Sequence, residues 1–313
     1  MASNLRLFYW PTSSASQKAL MALEEKDLEF KRTIVNITKG EQNQSWFLRI
    51  NPAGEVPALQ IGESFISESD IIVETLDKLK NGTQLVPNPS TPEGKLVQYW
   101  RQKFSEINIF LVTFGTIANP QLACEKLELP AAYTVTKEGW EKRLEIQVSN
   151  LLKVKAFNPE LAGAVDKKIE NLKARLNTDN LEMGNAEQAL QSLEKIFDEI
   201  EDQLRKSRTD NIVEHWLCGP NFTASDITLT MLLGRLNFLK LFPRFVNAEK
   251  RPALVEYWAQ ACRRPSVQKV VLGSKVALIK YEMDCKVKKL AIGTALATGM
   301  VALGLFLGHK YKS

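Results

Sequence analysis

Three short stretches of the chain combine residue types that could hold a small peptide and stabilise a negative charge on it. The first, Trp10-Pro11-Thr12-Ser13-Ser14, places hydroxyl groups where a predicted strand ends and a helix begins. Because the N-terminus of a helix carries a partial positive charge, a hydroxyl group there could stabilise a thiolate. Ser13 is the first candidate by position, and Tyr9 and Ser14 are alternatives. An equally good interpretation is that Ser13 or Ser14 only caps the helix.

The second and third stretches could bind the backbone and the carboxylate of a peptide. In Gly54-Glu55-Val56-Pro57-Ala58-Leu59 a proline enters an apolar strand, where proline is tolerated at the first residue or at an edge. The N–H and C=O groups of Val56 would then be free to pair with a ligand, and a cis bond before Pro57 would fix the turn. Glu68-Ser69 follows a short hairpin and opens a helix. A free backbone edge beside a serine at a helix N-terminus suits a peptide that carries a free carboxylate.

The elements that position these stretches follow from local periodicity. Alternating residues predict a strand over 5–9, and apolar spacing predicts a helix over 14–25. A second strand over 30–35, a helical turn over 44–50, a hairpin of 58–61 with 64–66, and a helix after Ser69 complete the series. A β-α-β half followed by a β-β-α half predicts a thioredoxin-like domain over 1–82.

The remainder of the globular chain has a helical pattern. Residues 83–92 contain three prolines and no periodicity, which predicts a linker before an all-helical domain over 93–275. Its first helix is predicted to run from Glu93 towards Asn119. Thr223 and Asp226 have the spacing of a capping box, so we interpret Asp226 as a structural and not a catalytic acid.

Residues 120–185 form a predicted helical insertion. Apolar residues recur every three or four positions from Ala162 to Leu176 and again from Leu190 to Leu204, with a predicted loop over 177–185 between them. A stripe this short usually packs on its own domain. The alternative is a hairpin that binds a partner or forms a dimer.

Composition and charge restrict the class of protein. The formal charge is +5, and no basic–aromatic stripe indicates nucleic-acid binding. Four cysteines without paired spacing indicate reduced thiols rather than a disulfide framework, and with two histidines the sequence predicts no metal site. No cysteine lies in the loop over 10–14, which excludes disulfide exchange there.

The last predicted element is a membrane span. Residues 290–308 carry no charge and would span about 28 Å as a helix, enough for a bilayer core. They follow a basic juxtamembrane segment over 276–289 and precede Lys310 and Lys312. Because few residues follow the span, we expect insertion after synthesis, with the folded body on the cytosolic side.

The motifs resemble those of a known family. Residues 54–59 with Glu68-Ser69 resemble the glutathione-binding half of the glutathione-transferase fold. Asn221-Phe222-Thr223-Ala224-Ser225-Asp226-Ile227 and Arg263-Arg264-Pro265-Ser266-Val267 resemble its helical domain. With the apolar tail, the chain is similar to the ganglioside-induced differentiation-associated protein family. The implied fold class is α+β, with a thioredoxin-like domain, an all-α domain, a helical insertion and a C-terminal transmembrane helix.

The resemblance implies a ligand and roles for individual residues. Val56 would pair with the cysteinyl backbone of glutathione, or of a related small thiol, and Pro57 would hold that edge. Glu68 and Ser69 would bind the γ-glutamyl amine and carboxylate. No metal is implied.

The resemblance also implies a location and two functions. The first is a tail-anchored protein of the mitochondrial outer membrane that regulates mitochondrial network dynamics (fission) and glutathione-linked redox homeostasis. Peroxisomal membranes are the alternative location. The alternative is an active glutathione transferase that conjugates glutathione to hydrophobic electrophiles. The insertion would serve a homodimer or protein partners.

Overall fold

The three stretches lie around a four-stranded mixed sheet in the N-terminal part of the molecule. A computed structural model describes residues 5–80, 82–129, 133, 137–175, 181–208 and 214–284. The strands are β1 (Leu5–Tyr9), β2 (Lys31–Ile34), β3 (Ala58–Ile61) and β4 (Ser64–Ile66). Their order is β2-β1-β3-β4, with β1 parallel to β2 and antiparallel to β3. The predicted span over 290–308 lies outside the described residues, as do the basic residues beyond position 284. Leu176 of the predicted apolar stripe also lies outside them.

Helices cover the sheet because β1 is apolar on both of its faces. Leu7 and Tyr9 belong to the main core, whereas Phe8 packs on the opposite face with Val35 and Phe47. The helices of this part are α1 (Ser14–Glu25), α2 (Ser45–Leu48) and α3 (Ser69–Leu79). The main core includes residues of both α1 and α3. This is the thioredoxin-like arrangement that the sequence predicts, with β2 shorter at each end than the predicted strand over 30–35.

The rest of the described chain is helical. Its helices are α4 (Pro92–Ser105), α5 (Thr116–Ala118), α6 (Lys137–Phe157), α7 (Ala162–Arg175), α8 (Met183–Ser207), α9 (Ala224–Phe238), α10 (Phe242–Phe245), α11 (Pro252–Ala261) and α12 (Pro265–Val267). A π-helical turn over Leu111–Gly115 precedes α5, and another over Gln268–Leu272 follows α12. Residues up to Leu272 form one unit, and the chain from Gly273 onward, helical over 274–284, is a separate unit.

The prediction of one helix from Glu93 towards Asn119 is wrong. α4 ends at Ser105, and Asn108 begins a new turn. The side chain of Asn108 accepts a hydrogen bond from the backbone N–H of Leu111 at 3.0 Å, as a residue that caps a helix does. The apolar residues on both sides of this break keep a helical spacing, which is why periodicity alone did not reveal it.

The insertion contains one more helix than the sequence indicated. α6 has no single apolar stripe, because Ile146 and Leu152 are exposed while Leu151 is buried. The predicted loop over 177–185 also ends too late, since α8 begins at Met183. From the predicted stripe, Val165 and Leu172 pack in one cluster with residues of α6 and with Leu48 of α2. The stripe is therefore used within the chain, but against the N-terminal part as well as its own hairpin.

The capping box at α9 is confirmed. Thr223 and Asp226 each contact the backbone of the other, and the Asp226 carboxylate also accepts from the N–H of Leu217 at 2.8 Å. Asp226 is fully buried, which agrees with a structural role.

Within the described ranges, no helix is both long enough and apolar enough to cross a bilayer.

Candidate functional site

The hydroxyl loop at the start of α1 is held by hydrogen bonds from its own helix. Ser13 is the N-cap of α1, and its Oγ accepts from the backbone N–H of Ser16 at 3.3 Å. The Oγ of Ser16 in turn accepts from the N–H of Trp10 at 3.2 Å, and Gln17 donates to the carbonyl of Pro11 at 3.3 Å. The interpretation of Ser13 as a helix cap is therefore correct, and its action on a thiol stays a prediction.

Two other hydroxyl groups of the loop have partners from distant parts of the chain. Ser14 Oγ accepts hydrogen bonds from Arg235 Nη2 at 3.0 Å and Nε at 3.3 Å. Thr12 is buried, and its Oγ1 lies 2.6 Å from the hydroxyl of Tyr133. Arg235 also donates to the carbonyl oxygen of Thr12. The loop is thus held between α1 and the helical part of the molecule.

The alternative candidate Tyr9 lies in a different environment. It is a buried residue of the main core at the end of β1. Burial raises the pKa of its hydroxyl above the usual value, an effect that the positive charge of Arg32 partly offsets. Tyr9 is not among the residues that line the cavity described below, whereas Ser13 and Ser14 are, so its hydroxyl is the less well placed of the three.

The turn before β3 presents a free backbone edge. The Val56–Pro57 bond is cis. Among the described residues, none hydrogen-bonds the N–H or the C=O of Val56, as the sequence predicts for this position. Asn51 supports the turn by donating from Nδ2 to the carbonyl of Glu55 at 2.6 Å. Gly54 has φ +58°, and a Cβ on it would lie 3.0 Å from the carbonyl oxygen of Gln42. A glycine is therefore required where the chain approaches this edge.

A cavity of about 1340 Å³ connects the hydroxyl loop with this edge. Ser13, Ser14 and Val56 line it, so the structure brings these three predicted site residues together. Pro57 is buried next to the edge, and Glu68 and Ser69 lie at the N-terminus of α3 outside the described lining. Glu68 is exposed at the N-cap position and makes no capping hydrogen bond through its side chain.

The far wall of the cavity is apolar and comes from the helical part and the insertion. Phe114 packs against Phe110 with ring centroids 4.7 Å apart and against Trp140 of α6 at 4.9 Å. Leu172 of α7 completes this wall. An aromatic wall facing a polar loop suits a ligand with a polar end and an apolar end.

The insertion reaches the cavity edge through a buried lysine. Lys168 of α7 is 6% exposed, and its Nζ donates to the carbonyl of Gly54 at 3.1 Å. The carboxylate of Glu55 lies 3.6 Å from the same nitrogen. After α2, Arg49 donates to Asn158 at 2.7 Å, and before α2, Asn43 donates from Nδ2 to Gln147 at 3.2 Å, so the insertion is attached on both sides of α2.

Sequence reasoning missed Arg235, Lys168 and Tyr133. A signal existed for Arg235, because it is the one charged residue between Asp226 and Lys240 in a mostly apolar helix. Lys168 is one of several lysines on a charged helix, and nothing in its local pattern marks it as buried.

Comparisons with known proteins agree with this architecture. The family model of the glutathione S-transferase N-terminal domain matches residues 12–79, and that of the C-terminal domain matches residues 183–259. Among solved structures, the beta-etherase LigF from Sphingobium sp. strain SYK-6 has a TM-score of 0.58 at 21% identity, covering 86% of this chain and 98% of that one. Glutathione transferase F7 from Populus trichocarpa has a TM-score of 0.54 at 19% identity, covering 86% and 99%. The chain therefore has the fold of glutathione transferases, with a thioredoxin-like and a helical domain.

Relatives with similarity along most of the chain place it more closely. Ganglioside-induced differentiation-associated protein 1-like 1 of Mus musculus is 27% identical over 278 residues, which are 86% of this chain and 74% of the relative. Glutathione S-transferase TCHQD of Arabidopsis thaliana is 26% identical over 273 residues, 85% and 89% of the two chains. The predicted resemblance to the ganglioside-induced differentiation-associated protein family is confirmed.

Proposed function

We propose that this protein binds glutathione in the cavity between the hydroxyl loop and the Val56 edge. The observation that carries the proposal is the unpaired backbone of Val56 on the cavity wall. A peptide that pairs with this N–H and C=O recovers two hydrogen bonds that the fold leaves unmade. Its sulfur then lies towards the N-terminus of α1, where the helix dipole favours a negative charge.

The apolar wall suggests what the bound thiol reacts with. A hydrophobic electrophile packed against Phe114 and Trp140 would lie across the cavity from Ser13 and Ser14. Conjugation forms a carbon–sulfur bond with the electron pair of the thiolate, and the electrophile's leaving group departs with the electrons of the bond that breaks. Desolvation by the aromatic wall and alignment of the two reactants supply the rate enhancement.

Isothermal titration of the full-length chain with glutathione tests the proposal. We expect binding in the micromolar range, as for a ligand with several backbone and charged contacts. A matched analogue with 2-aminobutyrate in place of cysteine keeps the backbone contacts and lacks the thiol, so it should also bind. The absence of heat with either ligand up to millimolar concentration would contradict the proposal.

We further propose a membrane-anchored adaptor function, as the second candidate. It is supported by the uncharged segment over 290–308 and by the confirmed family resemblance, which implies the mitochondrial outer membrane and an effect on mitochondrial fission. One structural observation favours a protein partner: α6 exposes Ile146, Leu152 and Phe157, the last at 84%. Ile146 and Phe157, eleven positions apart, lie on one face of α6, and exposed apolar side chains that share a face are typical of contact surfaces.

Truncation before Leu290 tests the adaptor function. The truncated chain should move from the organelle membrane to the cytosol and lose its effect on the mitochondrial network. A Phe157→Ser variant of the full-length chain should keep its location and lose a partner, whereas Lys153→Ser, on the same exposed face, is the matched control. Unchanged location after truncation would contradict the anchor.

A further inference from the structure

One arginine of the helical part reaches the hydroxyl loop of the proposed glutathione site. Arg235 of α9 is 7% exposed and lines the cavity. Two of its nitrogens, Nε and Nη2, donate to the same oxygen, Ser14 Oγ, at 3.3 and 3.0 Å. Nη2 also donates to the carbonyl of Thr12. The guanidinium is thus directed at the start of α1 from a residue 221 positions away in the chain.

Arg235 differs from the buried Arg251 and the half-buried Arg264 in lacking a carboxylate partner. Arg251 pairs with Asp198 at 2.6 Å and Arg264 with Glu25 at 2.5 Å. In the part of the chain that the structure describes, no carboxylate lies within ion-pair distance of Arg235. A guanidinium keeps its charge at every accessible pH, and a buried charge without a counter-ion is unfavourable. An anion bound in the cavity would supply that counter-ion.

The same contacts favour Ser14 over Ser13 as the hydrogen-bond donor. A hydroxyl group has two lone pairs and one proton. Because two N–H groups of Arg235 occupy the oxygen of Ser14, its proton is left to donate, and none of the described residues accepts it. When a cation donates a hydrogen bond to the serine oxygen, the O–H group of that serine becomes a stronger donor in turn. The oxygen of Ser13 receives only a neutral backbone N–H, that of Ser16.

We propose that Arg235 positions Ser14 so that this serine, and not Ser13, donates the hydrogen bond to the sulfur of bound glutathione, and that Arg235 is the counter-ion of the thiolate. This inference rests on the proposed function, because it needs glutathione in the cavity. Ser13 is then a helix cap and Tyr9 a core residue. Arg235 is a positioning residue, since it acts on the sulfur through Ser14 and through its charge.

The charged groups around the cavity support this arrangement. Besides Arg235, the lining contains Lys168, Glu55 and Glu106. Glu55 lies beside Lys168, and Glu106 is exposed to solvent. The buried positive charge of Arg235 and the N-terminus of α1 therefore dominate at the loop. We expect the pKa of the bound thiol to lie below that of a free cysteine.

Titration of the bound thiol in the full-length chain tests the inference. The ultraviolet absorbance of the thiolate would be followed against pH for the wild type, Ser14→Ala, Ser13→Ala, Arg235→Gln and Arg235→Lys. Ser14→Ala and Arg235→Gln should each raise the pKa of bound glutathione by about one unit, and Arg235→Lys by less because the charge remains. Ser13→Ala should leave this pKa unchanged and lower the Tm through loss of the cap.

Controls separate this outcome from a misfolded site and from failure of the proposed function. The analogue with 2-aminobutyrate has no thiol, so Ser14→Ala and Arg235→Gln should bind it as the wild type does. A raised thiol pKa in Ser13→Ala with an unchanged value in Ser14→Ala would overturn the inference alone. Equal loss of affinity for glutathione and for the analogue in Arg235→Gln would also overturn it. No binding of glutathione by the wild type would overturn both the proposed function and the inference.

Discussion

At the residue scale, polar side chains of the same type have roles that only their surroundings distinguish. Ser13 and Ser14 are adjacent and chemically identical, yet one caps a helix and the other receives a guanidinium. Asp226 is an acid in a buried network, where it accepts from the N–H groups of Leu217 and Thr223 and from the hydroxyl of Tyr257. Its partners are structural, and no described contact links it to the cavity lining.

Asp226 predicts a pH dependence of stability. Burial is the main cause that raises the pKa of its carboxyl from 3.8 to about 6, against the lowering effect of its backbone hydrogen bonds. Because the pKa is higher in the folded state than in the unfolded chain, this group's contribution to the free energy of unfolding decreases as pH rises from about 4 to about 6. The slope is at most ~1.4 kcal/mol per pH unit.

Urea unfolding of the wild type and Asp226→Asn between pH 4.5 and 7.5 measures this effect. The asparagine has one carbonyl oxygen where the carboxylate had two, so the variant should be less stable by about 1–3 kcal/mol. The difference in stability between the two proteins should be largest at the acidic end and constant above about pH 6.5, because the pKa of Asp226 is raised to about 6. If the difference in stability grows with pH instead, burial raises the pKa of Asp226 by less than its hydrogen bonds lower it.

At the scale of elements, the turn before β3 and the insertion form one wall of the cavity. Gly54 lies between them, with a left-handed backbone and close contact to Gln42. α7 contacts this turn through Lys168, and Leu48 of α2 is buried in the apolar cluster of the insertion. The position of the Val56 edge therefore depends on an element that lies between the two matched family domains.

Gly54 and Gly62 have nearly the same φ, so comparing their variants measures the effect of the close contact at Gly54. Gly54 and Gly62 have φ of +58° and +59°, but a Cβ at Gly62 would meet nothing within 4 Å. Both alanine variants should lose about 1 kcal/mol from the left-handed conformation. Gly54→Ala should lose more, because Gln42 and Leu48 must move, and it should weaken glutathione binding. Chemical denaturation and calorimetry measure both effects, and equal losses in the two variants would contradict the contact.

Neighbouring lysines test the attachment of the insertion. Lys168 is buried against the Gly54 turn, whereas Lys167 is exposed. Lys168→Met should leave the Gly54 carbonyl without its donor, lower the free energy of unfolding by about 1–3 kcal/mol and increase hydrogen exchange in α7. Lys167→Met is the matched control and should change stability by less than about 0.5 kcal/mol. Similar exchange in the two variants would indicate that the lysine contact does not hold the insertion.

For the whole molecule up to Leu272, contacts between the sheet part and the helices set the cavity shape. α1 is in contact with α9, and the guanidinium of Arg264 forms two hydrogen bonds with the carboxylate of Glu25 at the end of α1. Arg264 also lies over the ring of Phe222, 4.2 Å from its centroid. This one side chain joins α1 to the region of the α9 capping box.

Arg264→Lys should therefore loosen the junction of the two parts. Lysine keeps the charge but cannot make the two-pronged contact with Glu25 or stack on Phe222. We expect a loss of about 1–3 kcal/mol, measured by denaturant unfolding. Arg263→Lys is the adjacent control, because no side-chain hydrogen bond of Arg263 is among the described contacts. An equal effect of both substitutions would contradict a specific role for Arg264.

The sequence by itself determined the elements whose signals are local. The helix over 14–25, both strands of the hairpin and the capping box of Thr223 and Asp226 lie where the pattern predicts. In each case the defining interactions join residues a few positions apart, so spacing and residue type are sufficient. The free Val56 edge follows from the neighbouring proline in the same way.

Only the tertiary structure decided what surrounds the ligand cavity. Lys168 contacts Gly54 across 114 positions of the chain, and Arg235 contacts Ser14 across 221. Such pairs depend on how separate elements pack, and a lysine or arginine that becomes buried has the same local pattern as one on the surface. The choice between Ser13 and Ser14 therefore required the position of α9, because a cap and a polarised donor are identical in sequence and differ only in the partner that the fold provides.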